Sequence, residues 1–237
     1  MFEKKPHLRD GLLFLGRVPA LGLNARIVDI GCGTGELLHR LHHIGFQNLT
    51  GIDPFLIESR EKLPGMRLLA CDLSQLQGEY DLLILNHSLE HVPEQLDAMQ
   101  HVRRLLSSRG MAIVRVPLCD SLAWETYGVD WFQLDAPRHL YLHTVKSLTQ
   151  LAAAAGLAVR QIVHDSDHHQ FYVSERYRQD IPMLHDPQRP GGEPAKFRLG
   201  GRWRRQLAAQ ARALNREHRG DQATFYLSPV SDVDAKP

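Results

Sequence analysis

The chain has 237 residues, 43% of them hydrophobic and 23% charged, with a net charge of +1, enough to bury one α/β core in a single elaborated domain. So small a net charge excludes a strong overall field for nucleic acid or membrane, and no run approaches the ~18 apolar residues of a membrane span. Three scattered cysteines, Cys32, Cys71 and Cys119, supply neither a disulfide framework nor a CxxC metal pair, and no leader-like apolar stretch follows Met1; a reduced, cytoplasmic protein is expected.

Residues 1–25 read as a short N-terminal helical segment. The next stretch, Arg26 to Gly35, is RIVDIGCGTG. A short apolar run ending at a glycine cluster reads as a parallel strand entering a tight turn, and the periodic segment Glu36 to Ile44 as the helix that follows. Glycines at 31, 33 and 35 let the backbone turn sharply and approach a ligand. The dinucleotide fingerprint GxGxxG does not fit, because Gly35 comes one residue too early. Asp29 and Glu36 would repel a pyrophosphate at the helix N-terminus and attract an ammonium or sulfonium group.

Leu49 to Asp53 is a second strand pattern ending in a carboxylate 24 residues after Asp29, where an acid can accept from both hydroxyls of a ribose. Met66 to Asp72 reads as a third strand and Tyr80 to Asn86 as a fourth, which runs directly into HSLEHVP, His87 to Pro93. Glu94 to Ser107 has helical spacing at Leu96, Met99, Val102, Leu105 and Leu106. Gly110 to Pro117 is a fifth strand. Thr144 caps a helix through Ala155, closed by Gly156, before strand six at Leu157 to His164; Gln222 to Ser228 is the last strand. The alternation predicts a doubly wound, mostly parallel sheet with helices on both faces.

Two stretches fall outside the alternation: 118–143, after strand five, and 166–201, after strand six. The first carries Trp124, Tyr127, Trp131, Phe132 and Tyr141, enough aromatic surface to roof an acceptor site; the second contains the linker-like PQRPGGEP. From Arg189 to Arg219 nine Lys or Arg face two acids. Over Trp203 to His218 that segment reads as a packed helix with a basic outer face, or as an attractor of an anionic acceptor or carrier. Aromatic residues do not interleave the charges as nucleic-acid binding would require.

The pattern Asp29-x-Gly31-x-Gly33-x-Gly35, the LEHV of Leu89 to Val92 and the WFQLDAPRHLYLHT of Trp131 to Thr144 resemble the class I S-adenosylmethionine-dependent methyltransferases, in their small-molecule type 11/type 23 group. The resemblance implies a seven-stranded sheet whose last strand inserts antiparallel between the fifth and sixth. It implies S-adenosylmethionine as cofactor and S-adenosylhomocysteine as product. Asp29, Gly31, Cys32, Gly33, Gly35, Asp53, Pro54, Asn86 and His87 would form the donor site, with Asp53 on the ribose, Asp72 beside the adenine amino group and Leu73 against the ring. The implied activity is methyl transfer to an oxygen or nitrogen of a small-molecule or carbohydrate-related acceptor. A non-catalytic binding protein on the same fold is the competing class, opposed by the intact Asp29, Asp53 and glycines.

Displacement at a sulfonium asks mainly for alignment, with a general base useful for a hydroxyl acceptor. Glu90, His91, Asp135 and His139 are the candidate bases. Three of them have a structural alternative: His91 fixing its loop through a hydrogen bond, Glu90 favouring a helix start, Asp135 pairing with Arg138 to hold the insertion closed. No third ligand stands beside Glu90 and His91 in the sequence, and the His42-His43 and His168-His169 pairs read as solvated surface, so no metal is expected.

Overall fold

The computed structural model describes residues 13–18, 21–183 and 200–230. The chain runs β1 (Arg26–Ile30), α1 (Glu36–His43), β2 (Asn48–Ile52), β3 (Arg60–Leu63), β4 (Met66–Leu69), β5 (Tyr80–Asn86), α2 (Gln95–Leu105), β6 (Leu106–Pro117), α3 (Leu122–Tyr127), α4 (Val145–Ala154), β7 (Leu157–His164), α5 (His169–Tyr177), α6 (Gly201–Arg216) and β8 (Gln222–Pro229). Most of the expected N-terminal helical segment lies outside the described residues. Its described part is a 3-10 turn, Leu13–Arg17, where the Phe14 carbonyl accepts from the Tyr226 hydroxyl at 2.8 Å. The PQRPGGEP stretch also lies outside them.

All the strands join one sheet in the order β3-β4-β2-β1-β5-β6-β8-β7. Strands β4, β2, β1, β5 and β6 pair in parallel, and β8 lies antiparallel between β6 and β7. The expected order of the last strands is therefore present, but the count among the described residues is eight rather than seven. The additional strand is β3, antiparallel to β4 at the sheet edge. Its sequence, REKL, is exposed at its first three positions; an edge strand needs no apolar face, and charge there discourages pairing with another chain. With it, the chain passes from β2 to the parallel β4 without a crossover helix, the usual connection of such a pair.

One face of the sheet packs Val28, Leu83, Val114 and Phe225 against Met99 and Val102 of α2 and Leu148 and Ala152 of α4. The other packs Ile27, Leu49, Leu82 and Ile113 against Leu38 and Leu41 of α1. Strands buried on both faces read as continuous apolar runs, which is why β1, β5 and the second half of β6 stand out in the sequence. Thr144 caps α4 by accepting from Ser147 N at 3.0 Å.

The two stretches outside the alternation fold together. Phe171 of α5 buries against Leu207, Ala211 and Leu214 of α6, with Leu122 and Tyr127 of α3 on the margin. Arg204, Arg205, Arg212 and Arg216 of α6 point outward, as a packed helix with a basic outer face requires. The first insertion is pinned to the foot of β8. Asp221, 1% exposed, accepts from Trp131 Nε1 at 3.0 Å and from Gln133 Nε2 at 2.8 Å.

Candidate functional site

β1 and β2 end in register, Ile30 beside Ile52, and the glycine loop turns directly over them: Gly31 N and Cys32 N both donate to the Ile52 carbonyl, at 2.8 and 3.1 Å. Gly31, Gly33 and Gly35 all have positive φ, of 75°, 51° and 80°. They are not equivalent. A Cβ on Gly31 would meet Ser88 Cβ at 2.6 Å, whereas one on Gly33 would meet nothing within 4 Å. Gly33 thus presents bare backbone to open space, the arrangement by which a loop admits a ligand against its main chain. Asp53 ties that loop to the end of β2: its Oδ2 accepts from Gly33 N and its Oδ1 from Phe55 N, both at 2.9 Å.

A cavity of about 280 Å³ opens here, lined by Asp29, Gly31, Cys32, Glu36, Leu37, Arg40 and Asn86. Burial first, then the nearby charge of Asp53, pushes the Asp29 carboxyl up to about 7. The same burial, with the charges of Asp29 and Asp53, pushes the Cys32 thiol up to about 12, so Cys32 is a packing group and no nucleophile. The charge of Asp53 disfavours the ionised form of Asp29, and a cationic guest would relieve that repulsion. S-adenosylmethionine, with its sulfonium and ammonium, matches this chemistry, and the open backbone of Gly33 gives its body room. Pro54 and Asp72 are exposed and Leu73 half-buried; with Asp53, they lie outside this cavity's lining.

A second cavity, of about 400 Å³, begins one residue further on. Its lining includes His87, Arg115, Gln133, Asp135, Arg138 and His139. His87 has φ +53°, a left-handed conformation that a non-glycine residue adopts at a cost and that clusters at functional positions. Its backbone N donates to the Arg115 carbonyl at 2.9 Å. Its ring Nδ1 lies 3.3 Å from Glu90 Oε1 and its Nε2 3.2 Å from Arg115 Nη1. Arg115 in turn donates from Nε to Asp165 Oδ2 at 2.9 Å, which also accepts from Thr224 Oγ1 at 2.9 Å.

The four candidate bases converge here. Glu90 is fully buried, and its Oε2 has no hydrogen-bond partner. His139 reaches over from the insertion, Nε2 3.9 Å from Glu90 Oε1 and 3.7 Å from Asp135 Oδ2. Sequence alone leaves Glu90 and His91 without a third neighbour; the fold supplies one in His139, and donor atoms of all three lie within 4.8 Å of one another. Both histidines are locked by main-chain carbonyls, His91 Nδ1 by Arg138 O and His139 Nδ1 by Gln133 O, each at 2.8 Å. A carbonyl only accepts, so each Nδ1 carries a hydrogen and each neutral ring keeps its lone pair on Nε2. Asp135 does pair with Arg138, at 2.7 Å. His91 therefore ties its loop to the insertion, and the Asp135–Arg138 pair braces a turn within the insertion itself.

Sequence reasoning missed Arg115 and Asp165. The one available signal was a single arginine inside the otherwise apolar strand AIVRVP, a charge that must find a buried partner. A larger groove of about 800 Å³ lies at the opposite ends of the strands, among Arg26, Asn48, Arg60, Glu61 and Arg67. It is remote from all of these groups.

A family model described as a methyltransferase domain matches residues 3–162. Trans-aconitate 2-methyltransferase from Escherichia fergusonii is 32% identical over 132 residues, 49% of this chain and 52% of that protein; the chain spans about half the length of the curated relatives it matches. Among solved structures, an S-adenosylmethionine-dependent methyltransferase from Archaeoglobus fulgidus aligns with a TM-score of 0.56 at 15% identity, over 94% of this chain and 93% of that one. A geranyl diphosphate methyltransferase in complex with S-adenosylmethionine aligns at 0.59 and 13%, over 94% and 85%. At these identities the structures speak for the fold, and the family model, spanning more than half of the sequence, speaks for kinship: the chain belongs to the class I S-adenosylmethionine-dependent methyltransferases.

Proposed function

We propose that the protein transfers a methyl group from S-adenosylmethionine to an oxygen or nitrogen of a small-molecule acceptor. The carrying observation is that Asn86 lines the first cavity and His87 the second. Consecutive residues thus form adjoining walls, and a displacement in which acceptor, methyl and sulfur must align requires donor and acceptor to be that close. The bound donor supplies a methyl already activated by positive sulfur. The chain's own work is to hold it through Asp29, Asp53 and the open backbone of Gly33, to keep water out with the insertion pinned by Asp221, and to receive a proton. For a hydroxyl acceptor the O–H bond breaks as the O–CH3 bond forms and the C–S bond breaks. His139 Nε2 and Asp135 Oδ2 offer lone pairs at the cavity for that proton.

Arg115, Arg138 and His169, whose pKa is raised first of all by its hydrogen bond to Asp167, stand around the second cavity against Asp135 and Asp167, which favours an acceptor bearing an anionic group. The name of the curated relatives, which act on trans-aconitate, points the same way. Glycan-related acids remain within this class. Titration calorimetry with S-adenosylmethionine, S-adenosylhomocysteine and NAD tests the donor, and product detection with a panel of carboxylic acids and sugar acids tests the acceptor. Binding of the first two nucleosides without NAD supports the reading; silence from both refutes it and favours a non-catalytic binding role.

A further inference from the structure

We propose that Glu90, His91 and His139 form a binding site for one divalent transition-metal ion of the zinc class at the wall of the second cavity. Two imidazoles and one carboxylate are the donor set of sites in which such an ion keeps open positions for a reacting group. Donor atoms of the three residues lie within 4.8 Å of one another, and His139 Nε2 stands 3.9 Å from Glu90 Oε1. Ligand atoms about 2.1 Å from a shared ion lie roughly 3–4 Å apart, so an ion asks only for small side-chain shifts. Glu90 is the strongest sign. Its side chain is fully buried, its Oε2 meets no hydrogen-bond donor, and its Oε1 faces His87 Nδ1 at 3.3 Å. A carboxylate removed from water and so incompletely paired is costly, and a bound cation supplies the missing partner.

The two histidines are presented as ligands. Main-chain carbonyls hold both Nδ1 atoms at 2.8 Å, which leaves the lone pairs on Nε2, and outer hydrogen bonds of this kind orient ligating histidines. The segments that carry the three residues are stapled beside them: Leu140 N donates to the Glu90 carbonyl at 2.9 Å, and the Tyr141 hydroxyl to the Pro93 carbonyl at 2.7 Å. The ligands are therefore gathered before an ion arrives. The sequence shows no third ligand beside Glu90 and His91 because His139 reaches them only in the fold. His139 also lines the second cavity, so the open positions of the ion face the acceptor. That role rests on the reaction proposed above: the ion would hold an anionic oxygen of the acceptor and, for a hydroxyl, ease the loss of its proton. With His139 Nε2 engaged, Asp135 Oδ2, 3.7 Å from it, is the group left at the cavity to receive that proton.

The test is titration calorimetry of the full-length protein, freed of metal by a chelator, with zinc chloride and with cobalt chloride, the latter read also by visible absorption. One ion should bind per chain. Glu90→Gln and His139→Gln should each weaken binding roughly 100-fold or more and abolish the cobalt bands, since a direct ligand counts for at least as much as the outer partners whose loss costs about 10–100-fold. His169→Gln, which removes a donor from the other group of possible ligands, Asp167, His168 and His169, should leave both unchanged. Should Glu90→Gln fail to fold, His91→Gln, at an exposed position, takes its place with the same expected loss. Sodium azide should shift the cobalt bands, as an anion entering an open position does. No binding by the wild type, binding that survives in the Glu90 or His139 variant, or loss in His169→Gln alone overturns the inference; bands that azide leaves unmoved overturn the role at the acceptor. Zinc bound in this way by a protein that binds no S-adenosylmethionine would refute the donor site and leave the metal site in place, and S-adenosylmethionine binding without zinc binding would do the reverse.

Discussion

Gly33 donates its backbone N–H to Asp53 at 2.9 Å, so the loop after β1 and the loop after β2 are one unit before any ligand arrives. The carboxylate expected to receive a ribose is already engaged with main chain on both oxygens. Each oxygen has a further lone pair, which leaves Asp53 able to accept from a ligand while it shapes the loop.

Replacing Asp53 with alanine should therefore weaken S-adenosylmethionine binding by about 1–3 kcal/mol, through lost charge-assisted hydrogen bonds and a loosened glycine loop. Calorimetric titration reads this directly, and unchanged affinity would remove Asp53 from the site.

The glycine loop separates strain from occlusion. Gly31→Ala places a Cβ 2.6 Å from Ser88 Cβ at a φ of 75°, so it should lower the melting temperature and abolish donor binding together. Gly33→Ala meets no protein atom and carries only the left-handed penalty of about 1–2 kcal/mol. Its fold should survive while donor affinity falls at least tenfold, because the new methyl occupies ligand space. Equal losses of stability in the two variants would contradict this.

Asp29 makes both stability and binding depend on pH. Its folded value, pushed up to about 7 by burial and by Asp53, lies above the ordinary carboxylate value, so the folded state holds the proton more tightly. The stabilisation is fully present below about pH 4 and is lost as pH rises towards 7; by linkage it amounts to something on the order of 4 kcal/mol. A cationic donor prefers the ionised carboxylate, so affinity for S-adenosylmethionine should rise from pH 6 to pH 8. Asp29→Asn should flatten both profiles, measured by chemical denaturation and by calorimetry.

Asp221 is the pin of the first insertion. Asp221→Ala strands the Trp131 indole N–H and the Gln133 amide in a buried place and should cost roughly 2–4 kcal/mol. Trp131 is 1% exposed, so its fluorescence should shift to the red and proteases should cut within 118–143. A variant that melts as the parent does would show the insertion to be held by packing alone.

Most of the sheet could be read from the sequence because buried parallel strands are mostly apolar: Leu82–Leu85 is wholly so, and Ile27–Ile30 is broken only by Asp29. β3 could not, since Arg60, Glu61 and Lys62 satisfy no strand periodicity, and Arg60, Glu61 and Leu63 pair because β4 offers an edge. The first half of β6, LSSRG, hid for the same reason, its partly exposed polar residues resembling a turn. α5 was hidden inside what read as a loop, since its apolar face is covered by α6 and the margin of α3, neither of them near it in the chain. At the site, the glycine loop and Asp53 were legible as local motifs. The contact of His139 with Glu90 and the chain from Asp165 through Arg115 to His87 join positions dozens of residues apart, and no local pattern encodes them.

The peptide bond between Asn86 and His87 has one further consequence. A ligand that moved Asn86 would also move the wall of the neighbouring cavity, and the occupancies of the two cavities would then be thermodynamically linked. Linkage is reciprocal: whatever factor the donor adds to acceptor affinity, the acceptor adds to donor affinity. In the proposed reaction the methylated product and the spent nucleoside would then influence each other's departure, and turnover would become sensitive to the order in which they leave.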